Sequence, residues 1–214
     1  MRRTPGRPRD DDLATQRREE ILSVAADAFA RRGYAETDVQ EIACACGVSK
    51  GTVYFYFPSK EVLFLAAVDR AMNRLREFVR TAFADVTDPL ERLAVAIRAY
   101  LTYFRDHPAH AEILIIERAE FRERKTPTYL EHRRANAEQW REVYAGLIAA
   151  GRMRDIPIDR ILSVVGDLVY GTMFTNHFTG QTRSVEDQAR DVLDVVFHGL
   201  LTASERPHWE GKFG

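Results

Sequence analysis

Apolar side chains recur along this chain at the spacing of an amphipathic helix. In the first such segment they occupy positions i, i+4, i+7 and i+8, at Ile21, Ala25, Ala28 and Phe29. Gly33 predicts the end of this helix, because glycine adopts a left-handed cap conformation without strain. We find no sustained two-residue alternation of apolar and polar side chains bounded by turn residues, and therefore expect no strands.

Two short helices are predicted next. Asp38 can accept hydrogen bonds from the free amides of a second helix, and Glu41 stands three residues later, at the spacing of a capping box. Gly47 ends this helix, and Ser49 can cap a third helix that runs to about Phe57. The first three predicted helices are therefore joined by tight connections.

Longer helices are predicted over the rest of the chain, each opened by a capping residue or a proline. They run from Ser59 to about Ala84, Asp88 to Arg105, Pro108 to about Phe121, Thr126 to about Gly151, Asp159 to Gly180, and Ser184 to about Ala203. The predicted fold class is all-α, with about nine helices.

The composition permits a folded chain without covalent cross-links. Of its 214 residues, 45% are apolar, which is enough to bury a core. The two cysteines, Cys44 and Cys46, are too close together for an ordinary disulfide and too few for a structural zinc site. The longest segment without a polar side chain, Val143 to Ala150, is far shorter than the roughly 20 residues of a membrane helix. We expect a soluble cytoplasmic protein with no membrane partner.

The distribution of charge changes the meaning of the net charge of -1. Residues 1–9 carry four arginines and no acid, whereas residues 1–60 together hold ten basic and nine acidic side chains. Any binding of nucleic acid must therefore depend on a few placed cations and helix N-termini. This predicts a modest salt dependence and a large loss of affinity from single substitutions.

Three short helices with a glycine-containing turn between the second and third are typical of a helix-turn-helix, whose third helix offers its first residues to the major groove of DNA. Residues 47–54 fit this motif: they supply a turn glycine, a buried valine, a capping serine and then small or polar side chains. Tyr54, Tyr56 and Lys60 can add hydroxyl and ammonium groups for the phosphate backbone.

Residues 15–68 resemble the DNA-binding domain of the TetR family of transcriptional regulators. The resemblance is carried by residues 33–37, by Ile42 and Ala43, and by the segment from Gly47 to Lys60. It implies a homodimer, a double-stranded DNA operator of inverted-repeat type, and a small-molecule effector that weakens DNA binding. The expected DNA contacts are Arg7, Arg9, Thr37, Ser49, Lys50, Gly51, Thr52, Tyr54, Tyr56 and Lys60.

The resemblance divides the chain into four parts: a basic arm at residues 1–14, a three-helix helix-turn-helix domain at 15–60, a larger helical domain for effector binding and dimerisation at 61–205, and a tail at 206–214. The fourth helix joins the two domains and is expected to transmit the effector signal. The remaining helices resemble the family only in number and length.

Two features near the DNA-binding domain leave alternatives open. The family usually has Ser or Thr at the position of Asp38, so Asp38 either repels a nearby phosphate or caps the second helix at a harmless distance. Residues 5–9 resemble the Gly-Arg-Pro core of minor-groove AT-hooks, which would place Arg7 in an A·T-rich groove. A solvated tail is the alternative for this arm.

The C-terminal half supplies aromatic side chains for an effector pocket, although such stripes more often belong to a core. The candidate effector contacts are Tyr100, Tyr103, Phe104, Trp140, Tyr144, Tyr170, Met173, Phe174, Asn176 and His177. Of these, Asn176 and His177 are the polar groups that would need partners if buried.

The last two long helices carry apolar stripes interrupted by glycines, at Ile161, Val165, Leu168, Val192, Val195 and Val196. In the family the corresponding pair packs against its two-fold mate as a four-helix bundle. A monomer could bury the stripes internally, but it could not contact two half-sites separated by about 34–36 Å. We therefore expect a homodimer through these helices.

Other classes of protein are less well supported. No nucleophile elbow, metalloprotease, phosphate-loop or dinucleotide motif occurs, so we expect no enzyme, no catalytic residue and no cofactor. His107, His110 and Glu112 leave a metal-sensing regulator as an alternative. The charged run at residues 117–125 is either a solvated helix end or a cradle for an anion. An activator would share every expected DNA contact with a repressor.

Overall fold

Helices form nearly all the regular structure in a computed structural model of the chain, which describes residues 10–180 and 183–213. This part of the chain has ten helices and no strand. They are α1 (Asp10–Glu36), α2 (Val39–Ala45), α3 (Lys50–Tyr56), α4 (Lys60–Ala82), α5 (Pro89–Asp106), α6 (Pro108–Glu120), α7 (Thr128–Ala149), α8 (Ile158–Thr179), α9 (Val185–Leu200) and α10 (Arg206–Phe213). The predicted all-α fold class is confirmed.

Most predicted helix ends lie within a few residues of the observed ends, because capping residues mark them. Asp88 accepts hydrogen bonds from the amides of Leu90 and Glu91 at the start of α5, and Ser184 accepts one from Asp187 at the start of α9. At Gly33 the backbone leaves helical geometry, with φ 79° and ψ 171°, but this is not the left-handed cap conformation that the sequence predicted. Helical hydrogen bonding nevertheless continues to Glu36.

The last helix, α10, corrects the prediction of a C-terminal tail and raises the expected nine helices to ten in the described residues. Trp209 is only 8% exposed, and its ring meets Phe197 edge-on at 4.3 Å between centroids. Arg152 also pairs with Glu205, just before this helix, at 2.7 Å. A helix of eight residues with few apolar side chains has no periodic signal, so its tertiary contacts stabilise it.

The chain separates into two compact units. The first unit comprises the chain up to Ala71 and residues 112–125; the second comprises residues 72–111 and the chain from Thr126 onward. Both α4 and α6 therefore contribute residues to each unit. No helix in the described residues is long and apolar enough to span a membrane.

In the first unit, α1 packs against α2 and α2 against α3. The apolar face of α1, with Ile21 and Phe29 fully buried, covers the core. The ring of Phe64 packs edge-on to Phe29 at 5.0 Å and stacks on Phe121 at 5.5 Å between centroids. This aromatic centre packs α1 against α4 and against the residue that follows α6.

In the second unit, α5 is the central element and packs against α7, α8 and α9. Its buried side includes Leu93, Ile97 and Leu101, while α9 contributes Leu193 and Phe197. Arg152 ties this core to the start of α5 through an ion pair with Asp88 at 2.7 Å.

Candidate nucleic-acid interface and ligand cavity

Local features fix the start of α2, the turn after it and the start of α3. The Asp38 carboxylate accepts the amide of Gln40 at 2.8 Å and caps α2. Gly47 takes a left-handed φ of 64°, which turns the chain, and the Ser49 hydroxyl accepts the amide of Thr52 at 3.0 Å to cap α3. The fully buried Val53 then anchors α3 to the core.

Burying Val53 leaves the opposite side of α3 exposed. Lys50, Gly51, Thr52 and Tyr54 lie on the accessible first turns, as predicted for residues that meet DNA. Phe55 is 82% exposed and was not among the DNA contacts predicted from the sequence. The spacing of the apolar residues does indicate its exposure, because Phe55 lies two positions from the buried Val53 and two from the buried Phe57 and therefore on a different side of the helix.

Lys50 makes an ion pair with Asp38, with 3.0 Å between Nζ and Oδ1. The Gln40 amide and then the Lys50 ammonium hold the pKa of Asp38 below its ordinary value, and the same hydrogen bond raises the pKa of Lys50. Both side chains are exposed. In the free protein, therefore, the cation at the start of α3 is held by a carboxylate of α2.

Two of the expected DNA contacts are occupied with the end of α1. Thr37 is 2% exposed, and its hydroxyl donates to the Gly33 carbonyl at 2.7 Å, so its side chain offers no surface to a phosphate. Lys60 donates to the Ala35 carbonyl at 2.8 Å and lies over the Tyr34 ring at 4.9 Å. Tyr56 is half-buried beside Phe55 and Phe57. Arg7 and Arg9 lie outside the described residues.

A partly open cavity of about 790 Å³ lies in the second unit, between one face each of α4, α5, α7 and α8. Its interior is largely apolar. The apolar and aromatic lining includes Met72, Leu75, Val79, Phe83, Leu93, Ala96, Ile97, Tyr100, Tyr129, Leu130, Ala137, Trp140, Tyr144, Leu162, Val165 and Val169. A cavity of this size and character is typical of small-molecule sites.

Three of the ten predicted effector residues line this cavity: Tyr100, Trp140 and Tyr144. Burial and then the neighbouring Tyr129 raise the pKa of Tyr100 well above its usual range, and burial raises the pKa of Tyr129 to about 12. Both phenols are therefore neutral hydrogen-bonding groups at neutral pH. Tyr129 also stacks on Tyr170, with 4.1 Å between centroids.

The other seven predicted effector residues do not line the cavity, because they are used in packing. Tyr103 is 2% exposed and its hydroxyl lies 2.8 Å from His110 Nδ1. The Asn176 amide exchanges two hydrogen bonds with Gln188 of α9, at 2.7 and 2.6 Å. The remaining five are Phe104 against Tyr100, Tyr170 against Tyr129, Phe174 against Tyr170, His177 against Phe178, and the buried Met173.

Several arginines line the cavity, and none of them was among the effector contacts predicted from the sequence. The five that line it are Arg76, Arg80, Arg133, Arg134 and Arg141. Arg76 and Arg80 follow Met72 at intervals of four residues, so the sequence does place them on the cavity face of α4. Which helix face borders a cavity, however, depends on packing.

The residues of the alternative metal and anion sites contact one another in the described part of the chain. The rings of His107 and His110 stack at 5.2 Å, and no group of three or more His, Cys, Asp or Glu side chains there is arranged to hold a metal ion. In the charged run at residues 117–125, Glu117 is 2% exposed and pairs with Arg124 at 3.0 Å. This part of the run is therefore a buried ion pair and not a solvated helix end.

Comparison with known proteins agrees with this architecture of a helix-turn-helix unit followed by a helical unit. A model of the tetR family of bacterial regulatory proteins matches residues 21–67, and a model of the tetracyclin repressor-like C-terminal domain matches residues 86–200. The second match alone covers more than half of the chain. The protein belongs to the TetR family, which confirms the resemblance and its non-enzymatic class.

Individual relatives agree with this assignment. An uncharacterized HTH-type transcriptional regulator of Mycobacterium tuberculosis is 42% identical over 103 residues, which are 48% of this chain and 50% of that protein. The chain thus spans about half the length of the curated relatives that it matches first. The repressor KstR2 of the same species is 30% identical over 162 residues, covering 72% of this chain and 78% of KstR2.

The structure of the fatty acid degradation regulator FadR from Bacillus halodurans has the same fold. Its TM-score with this chain is 0.73 at 17% identity, over 92% of this chain and 96% of FadR.

Proposed function

We propose that the protein is a homodimeric transcriptional repressor that leaves an inverted-repeat operator when a small apolar or aromatic effector binds. The observation that carries this proposal is the capped, exposed first turn of α3. Lys50, Thr52 and Tyr54 stand on this turn, with Val53 buried behind them. A rigid helix that presents cationic and hydroxyl groups from its N-terminus suits the major groove.

The DNA contacts divide by chemistry. Lys50 and the Tyr54 hydroxyl supply phosphate or base-edge contacts, and the free amides at the start of α3 favour an anionic phosphate. Phe55, exposed beside them, offers an apolar surface of the kind that meets thymine methyl groups. We therefore add Phe55 to the expected DNA contacts and retain Thr37 only through its backbone.

Selection of binding sites from a random duplex library tests the DNA-binding role. We expect the full-length protein to enrich an inverted repeat, and Lys50→Ala and Phe55→Ala to lose most of the affinity for it. Arg98→Ala, which removes an exposed cation from α5, is the matched control and should bind as the wild type does. Enrichment of no duplex, or equal loss in the control, would contradict the proposal.

The proposed dimer uses α8 and α9, but with different side chains from the predicted stripes, because Ile161, Val192 and Val196 are buried in the core of the single chain. Val164, Phe178 and Val195 are 59%, 70% and 68% exposed, which is high for large apolar side chains on two long helices. Val164, Leu168, Gly171 and Phe178 follow each other at helical spacing along one side of α8. A second copy of the chain would cover this stripe with the same stripe of its own, giving an isologous interface.

Release by an effector is supported by the cavity of the second unit. An effector shifts the DNA-binding equilibrium only if it binds the two conformations with different affinities. Because α4 and α6 contribute to both units, they provide the continuous routes for such a change. A thermal-shift screen of small molecules followed by displacement from the selected DNA tests this step. A stabilising ligand that leaves DNA affinity unchanged would refute it.

A further inference from the structure

The cavity holds a buried polar group that has no protein partner. Tyr144 is 4% exposed, and its pKa is raised by burial alone, without any hydrogen bond or nearby charge. Within the described residues nothing hydrogen-bonds its hydroxyl, although the side chain lines the cavity. The hydroxyl oxygen is not among the fully buried atoms without a partner, so it remains accessible at the cavity and is suited to a polar atom of a ligand.

Positively charged side chains outnumber negatively charged ones around the same cavity. Three carboxylates line it beside five arginines: Asp167 pairs with Arg133, and both Asp159 and Glu138 pair with Arg141. By contrast, Arg76 donates only to the neutral Asn73 amide, and Arg134 only to the Thr126 hydroxyl. Two guanidinium groups on the cavity wall therefore form no ion pair in the described residues, although the charge of Arg76 also contributes to the lowered pKa of the adjacent Glu77.

The polar groups that could hold a ligand lie far apart on α7. Tyr144 follows Arg134 by ten residues, which corresponds to about 15 Å along the helix axis. The other helices contribute apolar side chains to the cavity, including Leu75, Leu93 and Val169. A ligand that satisfies both ends must carry an apolar body between two polar groups.

Resting on the proposed function, we propose that the effector is an amphipathic anion. Its negatively charged group pairs with Arg76 and Arg134, its apolar body occupies the chamber, and a hydroxyl or carbonyl group at its far end meets Tyr144. A quaternary ammonium ligand would suit the aromatic side chains but not the two unpaired arginines.

Calorimetric titration of the full-length protein with 12-hydroxydodecanoate, dodecane-1,12-diol, dodecanoate and dodecyltrimethylammonium tests the proposal below their micelle concentrations. We expect 12-hydroxydodecanoate to bind about tenfold more tightly than the uncharged diol, because charge-assisted hydrogen bonds to arginine are the stronger kind. It should also bind several-fold more tightly than dodecanoate. Equal or tighter binding of the diol or of the cation would overturn the proposal.

Variants assign the two ends of the ligand. Arg76→Gln and Arg134→Gln should each reduce the preference for the carboxylate over the diol, and Tyr144→Phe should make dodecanoate and 12-hydroxydodecanoate bind equally well. Arg98→Gln, on the exposed side of α5, is the control and should leave both preferences unchanged. Unchanged preferences in the first three variants would refute the assignment. Arg134 is exposed, so its variant remains informative if another fails to fold.

The DNA measurement separates this proposal from the proposed function. Ligand preferences as described, in a protein that enriches no duplex, would leave the ligand assignment intact and refute the operator role. An operator that is bound, and is then released only by cations or neutral molecules, would support the operator role and refute the ligand assignment.

Discussion

Asp38 has two roles at the start of the DNA-binding motif. Its carboxylate caps α2 and also holds the Lys50 ammonium at 3.0 Å. A phosphate that approaches α3 must therefore compete with Asp38 for Lys50. The sequence alone raised repulsion of a phosphate as one alternative, and the ion pair adds a specific competitor to it.

We predict that Asp38→Ser tightens operator binding by about threefold at low salt, the scale of an exposed ion pair, because serine keeps the cap and releases Lys50. The gain should shrink as salt screens the charges. Anisotropy titrations at several salt concentrations measure both effects. Glu41→Gln, which removes another exposed carboxylate of α2, is the control for a general change in charge. Equal gains from both variants would disprove the role of the Asp38–Lys50 pair.

At the cavity wall, Gly166 is required by the position of Arg133. A Cβ at Gly166 would lie 2.6 Å from Nη2 and 2.8 Å from Nε of Arg133. The same guanidinium donates to the Leu162 and Ser163 carbonyls and pairs with Asp167. Arg133 thus links α7 to α8. Its guanidinium group lies against the α8 backbone at Gly166, where there is no side chain.

We predict that Gly166→Ala stabilises the protein by about 1 kcal/mol, the ordinary helix gain, only when Arg133 is also replaced by alanine. In the presence of Arg133 the added methyl displaces the guanidinium and the gain is lost, which gives a coupling of about 1 kcal/mol. Urea unfolding of the four proteins in this cycle measures it. Gly146→Ala on α7, where a Cβ meets nothing, should be independent of Arg133. A cycle without coupling would show that Arg133 moves freely.

At the scale of elements, the start of α5 links helix capping to the pH dependence of stability. Burial of Asp88 by itself raises the pKa of its carboxyl group, but the Arg152 guanidinium and the amides of Glu91 and Leu90 outweigh burial and lower it. A pKa lower in the folded than in the unfolded state means stability that is present above the unfolded pKa. It is lost as pH falls through the folded pKa.

We predict that Asp88→Asn lowers the free energy of unfolding by about 1 kcal/mol at pH 7, because asparagine retains the cap but not the ion pair. The difference from wild type should begin to shrink as pH falls to about 4, where the unfolded-state carboxyl takes up its proton, and should vanish only below the lower folded pKa. Urea unfolding between pH 3 and pH 7 measures it. Asp85→Asn, in the same loop and exposed, is the control. A difference that persists at low pH would assign the loss to the cap.

The same elements show what could be predicted from sequence. Helices with caps at Asp38, Ser49, Asp88 and Ser184 were located because their signals are local. By contrast, α10 was missed because Trp209 is ordered by Phe197, a contact between distant parts of the chain. Most candidate effector residues lie away from the cavity for the same reason. Aromatic residues on α8 were equally eligible by spacing, but tertiary packing set Tyr170 and Phe174 against other aromatic rings and left the cavity to other helix faces.

At the scale of the whole molecule, the proposed recognition of an inverted-repeat operator depends on assembly. A single chain carries one α3, whereas an inverted repeat offers two half-sites about 34–36 Å apart, so affinity for the complete site requires a fixed pair of copies. The exposed stripe on α8 and α9 is the surface proposed for that pairing. Assembly and operator affinity should therefore fall together when the stripe is disrupted.

We predict that Val164→Asp gives a monomer at micromolar concentration and reduces operator affinity by at least about a hundredfold, because a buried, unpaired carboxylate in an interface costs several kcal/mol. The fold of each copy should persist, since Val164 is 59% exposed in the single chain. Analytical ultracentrifugation gives the mass, circular dichroism the helical content, and anisotropy the DNA affinity. Ala145→Asp places the same charge on an exposed site of α7 and should remain dimeric. A Val164→Asp protein that stays dimeric would move the interface away from α8, and a monomer that binds the full operator as tightly as wild type would show that pairing is not required.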